Sequence, residues 1–154
     1  MSLVYILAAG AAAYLLGSIP SAVWAGRLFH GIDVREHGSG NAGATNVIRV
    51  LGWKTGVPVL IFDLAKGFLA AMLPKLFNLA PDGSAALVNL QIFTGLMAII
   101  GHVFPVFAGF RGGKGVASMF GILLAIHPPV TLACLAVFLV IFLITGIVSA
   151  LLIF

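Results

Sequence analysis

The sequence predicts an all-α integral membrane protein. Of its 154 residues, 62% are hydrophobic and only 8% are charged, and the mean hydropathy is +1.21. A soluble domain is typically about 45–50% apolar and about 25% charged. The chain also contains charge-free apolar stretches close to the length of about 20 residues that a helix needs to cross a bilayer. We therefore expect a single domain over residues 1–154 embedded in a lipid bilayer, with no role in nucleic-acid binding.

About five transmembrane helices are expected. They fall at about residues 3–26, 55–73, 85–106, 115–126 and from 130 onward. A cleaved signal peptide is the competing interpretation of the first segment, but the basic residues that should precede its apolar core are missing. The segment 17–20, Gly-Ser-Ile-Pro, is expected to kink the first helix. Pro128 and Pro129 separate the last two, because proline disfavours helix at and just before its position, and Gly146 ends or kinks the fifth.

Basic residues cluster after the first and third of these segments. The cations of these two loops are Arg27, Arg35, Arg49, Lys54, Arg111 and Lys114. Only Lys75 lies between the second and third segments. Because cytoplasmic loops are enriched in Lys and Arg, both basic loops are expected on the cytoplasmic side and the N-terminus outside.

The first basic loop is rich in glycine and resembles an anion-binding loop. Its candidate binding residues are Gly38, Ser39, Gly40, Asn41, Gly43, Thr45, Asn46 and Arg49. Glycines let backbone N–H groups converge on an anion, and arginine matches two phosphate oxygens at once. Residues 44–51 are expected to form a short helix that Gly52 ends. The spacing also fits G-x-G-x-x-G, but a dinucleotide site would need a βαβ unit, which this apolar context excludes.

The second basic loop covers residues 109–115, Gly-Phe-Arg-Gly-Gly-Lys-Gly. Arg111, Gly112, Gly113 and Lys114 are its candidate phosphate-binding residues. The loop departs from a P-loop, because Gly115 stands where a Ser or Thr should bind Mg²⁺. The alternative is a simple cationic anchor flanking a membrane helix.

Two further polar sites lie inside or at the ends of apolar segments. Asp63 and Lys66 are three residues apart on one helical face and are expected to form a structural ion pair. His102 is a candidate substrate contact, with a structural hydrogen-bond donor and a general base as the alternatives. The four histidines show no metal-ligand spacing, so no metal or cofactor is expected, and the single Cys134 excludes an intrachain disulfide.

Taken together, these motifs resemble those of the bacterial acyl-phosphate:glycerol-3-phosphate acyltransferase family. The matching segments are 17–21, 38–49, 63–67, 101–107 and 109–117, in the family's order and spacing. The resemblance covers roughly residues 14–120, and the combination of motifs is highly specific. It implies a multi-pass enzyme of the bacterial cytoplasmic (inner) membrane.

The resemblance also implies a reaction. A fatty acyl group is expected to pass from acyl phosphate to the 1-hydroxyl of glycerol 3-phosphate, giving lysophosphatidic acid and phosphate in phospholipid biosynthesis. The residues that the resemblance marks as catalytic are Ser39, Arg49 and Lys114. Since acyl phosphate is already activated, positioning and charge neutralisation suffice, and no covalent nucleophile is needed.

The sequence departs from the family at its C-terminal end. Family members usually continue through two more spans and a polar segment, whereas this sequence stops at Phe154, and Gly146 and Ile147 stand where the family usually has a basic and an aromatic residue. A fragment, a truncated product and a chain completed by a partner are the options. The functional alternatives are therefore a membrane carrier or binding protein for a phosphorylated metabolite and an inactive truncated homologue.

Overall fold

The structure, a computed structural model, describes residues 3–145. All regular elements in this range are helical, which confirms the predicted all-α class. The helices are α1 (Leu3–Gly17), α2 (Ser21–His30), α3 (Ala44–Leu51), α4 (Trp53–Leu76), α5 (Ala85–Val103), α6 (Val116–Ile126) and α7 (Pro128–Thr145). Short 3₁₀ turns lie at Val34–Glu36 and Val106–Ala108.

The first apolar segment is interrupted, as the sequence predicts. Helix α1 ends at Gly17 and α2 starts at Ser21, directly after Pro20. Proline has no N–H to continue the hydrogen-bond ladder of α1, but it is well tolerated just ahead of a new helix. The interruption leaves the carbonyl of Ile19 available, and the Lys66 ammonium donates to it at 2.9 Å.

The short helix expected at residues 44–51 is also confirmed. Helix α3 ends at Gly52, whose φ of 83° lies in the left-handed region that favours glycine. Asn46 and Val47 are buried on its inner face. Since α3 packs against α4, its N-terminus and the loop before it are fixed to the membrane helices.

Helix α4 is the central element of the bundle, because it packs against α1, α3, α5 and α6. Its contact with α6 is made through glycine. A Cβ on Gly67 would overlap the carbonyl of Ser118, and a Cβ on Gly121 would overlap the carbonyl of Leu64. Small residues that bring backbones into contact are typical of helix interfaces in membranes.

The interior of the bundle holds small side chains, while large apolar side chains face outward. Ala13, Ala70 and Ala98 are fully buried and pack together where α1, α4 and α5 meet. Leu28 and Phe29, by contrast, are 76% and 77% exposed. Water would penalise such an exposed apolar surface, whereas lipid would not.

Three helical segments have the length and apolar composition needed to cross a membrane: Leu3–His30, Trp53–Leu76 and Ala85–Ala108. Helix α6 begins and ends within one residue of the predicted bounds, but its 11 residues rise only about 16 Å, about half of a bilayer core. The total of five crossings therefore stays a prediction. Gly146, expected to end or kink the fifth helix, lies outside the described residues.

Candidate functional site

The first loop is organised around Asp33. Its carboxylate accepts hydrogen bonds from the backbone N–H of Arg35 at 3.0 Å and from the Arg35 guanidinium at 2.7 Å, and Arg27 pairs with it at 2.8 Å. The hydrogen bond from the Arg35 side chain is the main reason why the pKa of Asp33 is held far below its usual value. The same contact raises the pKa of Arg35. These charges thus fix the start of the loop.

Arg35 also joins the first loop to the second. One of its terminal nitrogens donates to the carbonyl of Ala108 at 2.7 Å and to the carbonyl of Arg111 at 3.1 Å. Its side chain is only 12% exposed, so the contact is shielded from solvent. Sequence reasoning counted Arg35 only as a loop cation. No local spacing connects it to residues 73 and 76 positions away.

Asn46 shapes the glycine-rich part of the first loop. Its Oδ1 accepts from the backbone N–H of Ser39 at 2.9 Å, and its Nδ2 donates to the carbonyls of Val34 and His37 at 2.9 and 3.1 Å. The residue is buried, and its amide is occupied by these protein partners. Gly38 adopts a left-handed φ of 61°, and a Cβ there would overlap the Asn46 side chain. Predicted as a substrate contact, Asn46 is placed beneath the loop.

The side chains marked as catalytic lie at the surface. Ser39, Arg49 and Lys114 are exposed, and within residues 3–145 their side chains make no hydrogen bond or ion pair. The other predicted binding residues line the same two loops. Gly38, Gly40, Thr45 and Arg111 are exposed, Asn41, Gly43 and Gly112 are half-buried, and Gly113 and His102 are buried. Cations without a protein partner are free to bind an anionic ligand.

The second loop folds back onto the end of α5. The N–H groups of Gly112 and Gly113 donate to the carbonyls of Val103 and His102 at 3.1 and 3.2 Å. A Cβ on Gly112 would overlap the His102 carbonyl, and a Cβ on Gly113 would lie 2.8 Å from the carbonyl of Ala42 in the first loop. Glycine at position 112 therefore lets the second loop fold onto the end of α5, and glycine at position 113 lets it approach the first loop.

A buried polar cluster lies beneath the loops. The Asp63 carboxylate pairs with Lys66 at 2.8 Å, and both side chains are 2% exposed. The Ser21 hydroxyl donates to the same oxygen at 2.7 Å, and His102 Nδ1 lies 3.8 Å from it. The hydroxyl of Ser118 donates to the backbone carbonyl of Asp63 at 3.0 Å. The Asp63–Lys66 pair follows from its spacing in the sequence, whereas no local pattern connects Ser21 or Ser118 to Asp63.

A small cavity separates this cluster from the two loops. It is lined by Ile19, Pro20, Ser21, Ala42, Lys66, His102, Pro105, Gly112 and Gly113. The cavity thus has the glycines of the second loop on one side and the buried Lys66 and His102 side chains on the other. Among the described residues, no group of three or more His, Cys, Asp or Glu side chains is arranged to hold a metal ion.

A family profile described as glycerol-3-phosphate acyltransferase matches residues 7–154. A glycerol-3-phosphate acyltransferase of Chlorobium phaeobacteroides (strain BS1) is 49% identical over 90% of this chain and 61% of its own length. One from Listeria monocytogenes serovar 1/2a is 52% identical over 83% of this chain and 62% of its own length. The chain thus spans about three fifths of the length of the curated relatives it matches.

Solved structures give the same match. The glycerol 3-phosphate form of PlsY, an integral membrane glycerol 3-phosphate acyltransferase, superimposes with a TM-score of 0.74 at 43% identity, over 90% of this chain and 66% of PlsY. Its lysophosphatidic acid form gives a TM-score of 0.71 at 42% identity, over 90% of this chain and 65% of PlsY.

Proposed function

The chain belongs to the glycerol-3-phosphate acyltransferase family, and from this membership we propose that it transfers a fatty acyl group from acyl phosphate to the 1-hydroxyl of glycerol 3-phosphate. The products are lysophosphatidic acid and inorganic phosphate. In support, the two solved structures that it resembles are described as a glycerol 3-phosphate form and a lysophosphatidic acid form. The reaction is a step of phospholipid biosynthesis.

The contact between the two glycine-rich loops is the observation that carries this proposal. Arg35 and the close approach of Gly113 to Ala42 hold the loops together, and exposed cations from both loops have no protein partner in the described range. Both substrates carry phosphate, so a site with a cation from each loop suits a reaction that brings two phosphates together. Its place at the end of an apolar bundle suits one water-soluble and one lipid substrate.

The proposed reaction is a direct displacement. The 1-hydroxyl oxygen of glycerol 3-phosphate bonds to the acyl carbonyl carbon, and the bond from that carbon to the phosphate oxygen breaks. Phosphate leaves with the bonding electron pair and takes up the hydroxyl proton. In this scheme Arg49 and Lys114 bind phosphate groups, and Ser39 donates a hydrogen bond to a phosphate or to the reacting carbonyl. No metal or covalent intermediate is required.

The proposal includes an orientation in the bacterial inner membrane. The two basic loops follow the first and third apolar segments, so they are expected on one side of the membrane, and the positive-inside rule predicts that this side is cytoplasmic. Glycerol 3-phosphate would then enter from the cytoplasm. The acyl tail of the second substrate would remain in the bilayer.

Lys114→Ala tests the proposal directly. The purified chain is assayed in detergent with palmitoyl phosphate and radiolabelled glycerol 3-phosphate. If Lys114 neutralises a reacting phosphate, its loss is expected to lower kcat/KM by at least about 100-fold, comparable to losing one charge-stabilising donor. The matched control is Lys75→Ala, since Lys75 belongs to an exposed ion pair with Asp82 in the loop between α4 and α5.

Each outcome of this assay has one meaning. Product from the wild-type chain and from Lys75→Ala, with its loss in a folded Lys114→Ala variant, supports the proposal. Near-normal turnover by Lys114→Ala would show that Lys114 has no role in catalysis. Binding of glycerol 3-phosphate without product by the wild-type chain indicates a carrier or binding protein instead.

A further inference from the structure

Asp63 lies where the elements that lead into both loops meet. Its carboxylate accepts from Ser21, the first residue of α2, and from Lys66 one turn further along α4. Its backbone carbonyl accepts from Ser118 in the first turn of α6. The first loop follows α2, and the second connects α5 to α6. One residue therefore holds helices that flank each loop.

The ammonium of Lys66 is directed toward the cavity by the bonds it already makes. An ammonium group has three N–H donors. One is used by Asp63 Oδ1 at 2.8 Å and a second by the Ile19 carbonyl at 2.9 Å. Lys66 also lines the cavity beneath the loops. Its remaining donor is thus available there to an oxygen atom of a bound molecule.

The ring of His102 is oriented by two hydrogen-bond acceptors that lie near its Nδ1 atom. The Ser118 hydroxyl gives its proton to the Asp63 carbonyl, so its oxygen, 3.5 Å from His102 Nδ1, can only accept from the ring. Asp63 Oδ1 lies 3.8 Å from the same nitrogen and is also an acceptor. A neutral ring therefore carries its proton on Nδ1. Nε2, with its lone pair, lies against Gly113 of the second loop.

We infer that Asp63 is a positioning residue of the acyl-transfer site: it aims the Lys66 ammonium and the His102 ring into the cavity beneath the two glycine loops. The inference rests on the proposed function, which supplies the reaction. Lys66 offers a donor to an oxygen of the reacting groups, and His102 Nε2 offers an acceptor to a hydroxyl. Asp63 touches no substrate in this arrangement and acts through these two side chains.

A purely structural ion pair would have a different consequence. Replacing a buried ion pair by apolar residues of similar volume often leaves protein stability unchanged or raises it. Removing only one partner lowers stability, because the other charge stays buried without a counter-charge. The paired variant Asp63→Leu/Lys66→Met therefore separates a purely structural pair from one that serves the reaction through the Lys66 ammonium and the position of His102. The exposed pair Lys75–Asp82, 3.3 Å apart, provides the matched control Asp82→Leu/Lys75→Met.

The experiment measures kcat, KM for glycerol 3-phosphate and the thermal midpoint of both paired variants in the full chain. A displaced catalytic group can cost about 100-fold in rate. We expect the Asp63→Leu/Lys66→Met variant to melt near the wild-type temperature and to lose about that factor in kcat, with a much smaller change in KM. The control should keep wild-type values. A folded Asp63→Leu/Lys66→Met variant with wild-type kcat would overturn the inference.

Hydrogen–deuterium exchange gives a second readout that does not need turnover. The amides of Gly112 and Gly113 bond to the carbonyls of Val103 and His102, so their exchange rates report how well the second loop is held. Faster exchange in the Asp63→Leu/Lys66→Met variant than in the control shows that the pair also holds the second loop on the end of α5, as the inference requires, and equal exchange contradicts it. If the wild-type chain makes no product, the proposed function fails while this comparison still decides whether the Asp63–Lys66 pair holds the loop.

Discussion

The side-chain amide of Asn46 is hydrogen-bonded to the protein through both its oxygen and its nitrogen. Exchanging only the nitrogen for an oxygen should therefore lower the stability of the fold. In Asn46→Asp the acceptor for Ser39 N–H is kept, but the donor to the carbonyls of Val34 and His37 is replaced by a second oxygen. The buried carbonyl of Val34 and the partly buried carbonyl of His37 then face a carboxylate. We expect a loss of about 2–4 kcal/mol in the free energy of unfolding, the cost of unsatisfied buried polar groups.

Chemical unfolding in detergent micelles measures this change. Asn89→Asp is the matched control, because Asn89 is exposed near the start of α5 and the same substitution there leaves no buried group without a partner. Equal stability of the two variants would contradict the role assigned to Asn46.

The contribution of Asp33 to the stability of the fold should depend on pH. The folded-state pKa of Asp33 is lowered, chiefly by its hydrogen bond with the Arg35 side chain. Folding is therefore favoured while the carboxylate is ionised, above the unfolded-state value of about 3.9. The stabilisation is lost as the pH falls below that value toward the folded pKa.

The difference in unfolding free energy between wild type and Asp33→Asn should thus be constant from pH 7 to about pH 5 and shrink below about pH 4. Denaturant titrations at stepped pH give this difference directly. A difference that grows on acidification would have the wrong sign for a carboxylate stabilised in its charged form. The acceptors of Arg35 in the second loop are backbone carbonyls, which this substitution leaves in place.

At the scale of elements, the α4–α6 contact fixes where the second loop ends, because α6 follows that loop. The backbones meet at Gly67 and Gly121, where a Cβ would overlap a carbonyl of the opposite helix. We expect Gly67→Ala to cost about 1–3 kcal/mol of stability, the usual effect of overpacking. It should also lower acyl transfer, because only Gly115 separates Lys114 from the start of α6 at Val116.

Gly10→Ala is the matched control for this contact. A Cβ on Gly10 would lie 2.8 Å from the ring edge of Phe93, a side chain that can move, whereas backbone carbonyls cannot move without shifting a helix. Thermal unfolding of the two variants should therefore differ, with Gly67→Ala melting lower. Similar melting temperatures would show that α4 and α6 can move apart at this contact without a loss of stability.

The elements that could be predicted from the sequence are those determined by one residue or by residues close together in the chain. Pro20 predicts the break between α1 and α2, and Gly52 predicts the end of α3, since each acts through its own backbone. The Asp63–Lys66 pair follows from helical spacing alone. The junction made by Arg35 and the contact of Ser118 with Asp63 could not be predicted, because they join residues 55 or more positions apart.

At the scale of the whole molecule, the proposed orientation can be measured. After Cys134→Ala removes the single cysteine, His37→Cys and Asp82→Cys each introduce one thiol at an exposed position in a different loop. Loops on opposite sides of the membrane should react differently with an impermeant maleimide on intact cells. We expect Asp82→Cys to be labelled and His37→Cys to be labelled only after the cells are opened.

These two variants serve as each other's control, because lysed cells should label both. Labelling of His37→Cys on intact cells would place the glycine-rich loops outside and remove cytoplasmic glycerol 3-phosphate as the substrate source. Labelling of both positions on intact cells would contradict a membrane-spanning α4, the helix that separates them.

The bond from Lys66 to the carbonyl of Ile19 has a consequence for how the chain is assembled. Non-helical backbone within the hydrocarbon region needs a protein partner for its polar groups. In the break between α1 and α2, the Ile19 carbonyl accepts from the Ser21 N–H and also from Lys66 of α4, a helix that is synthesised later. The first segment therefore reaches its final form in the translocon or the lipid only after the second has entered. Biogenesis of this protein should proceed by insertion of the two segments as one unit.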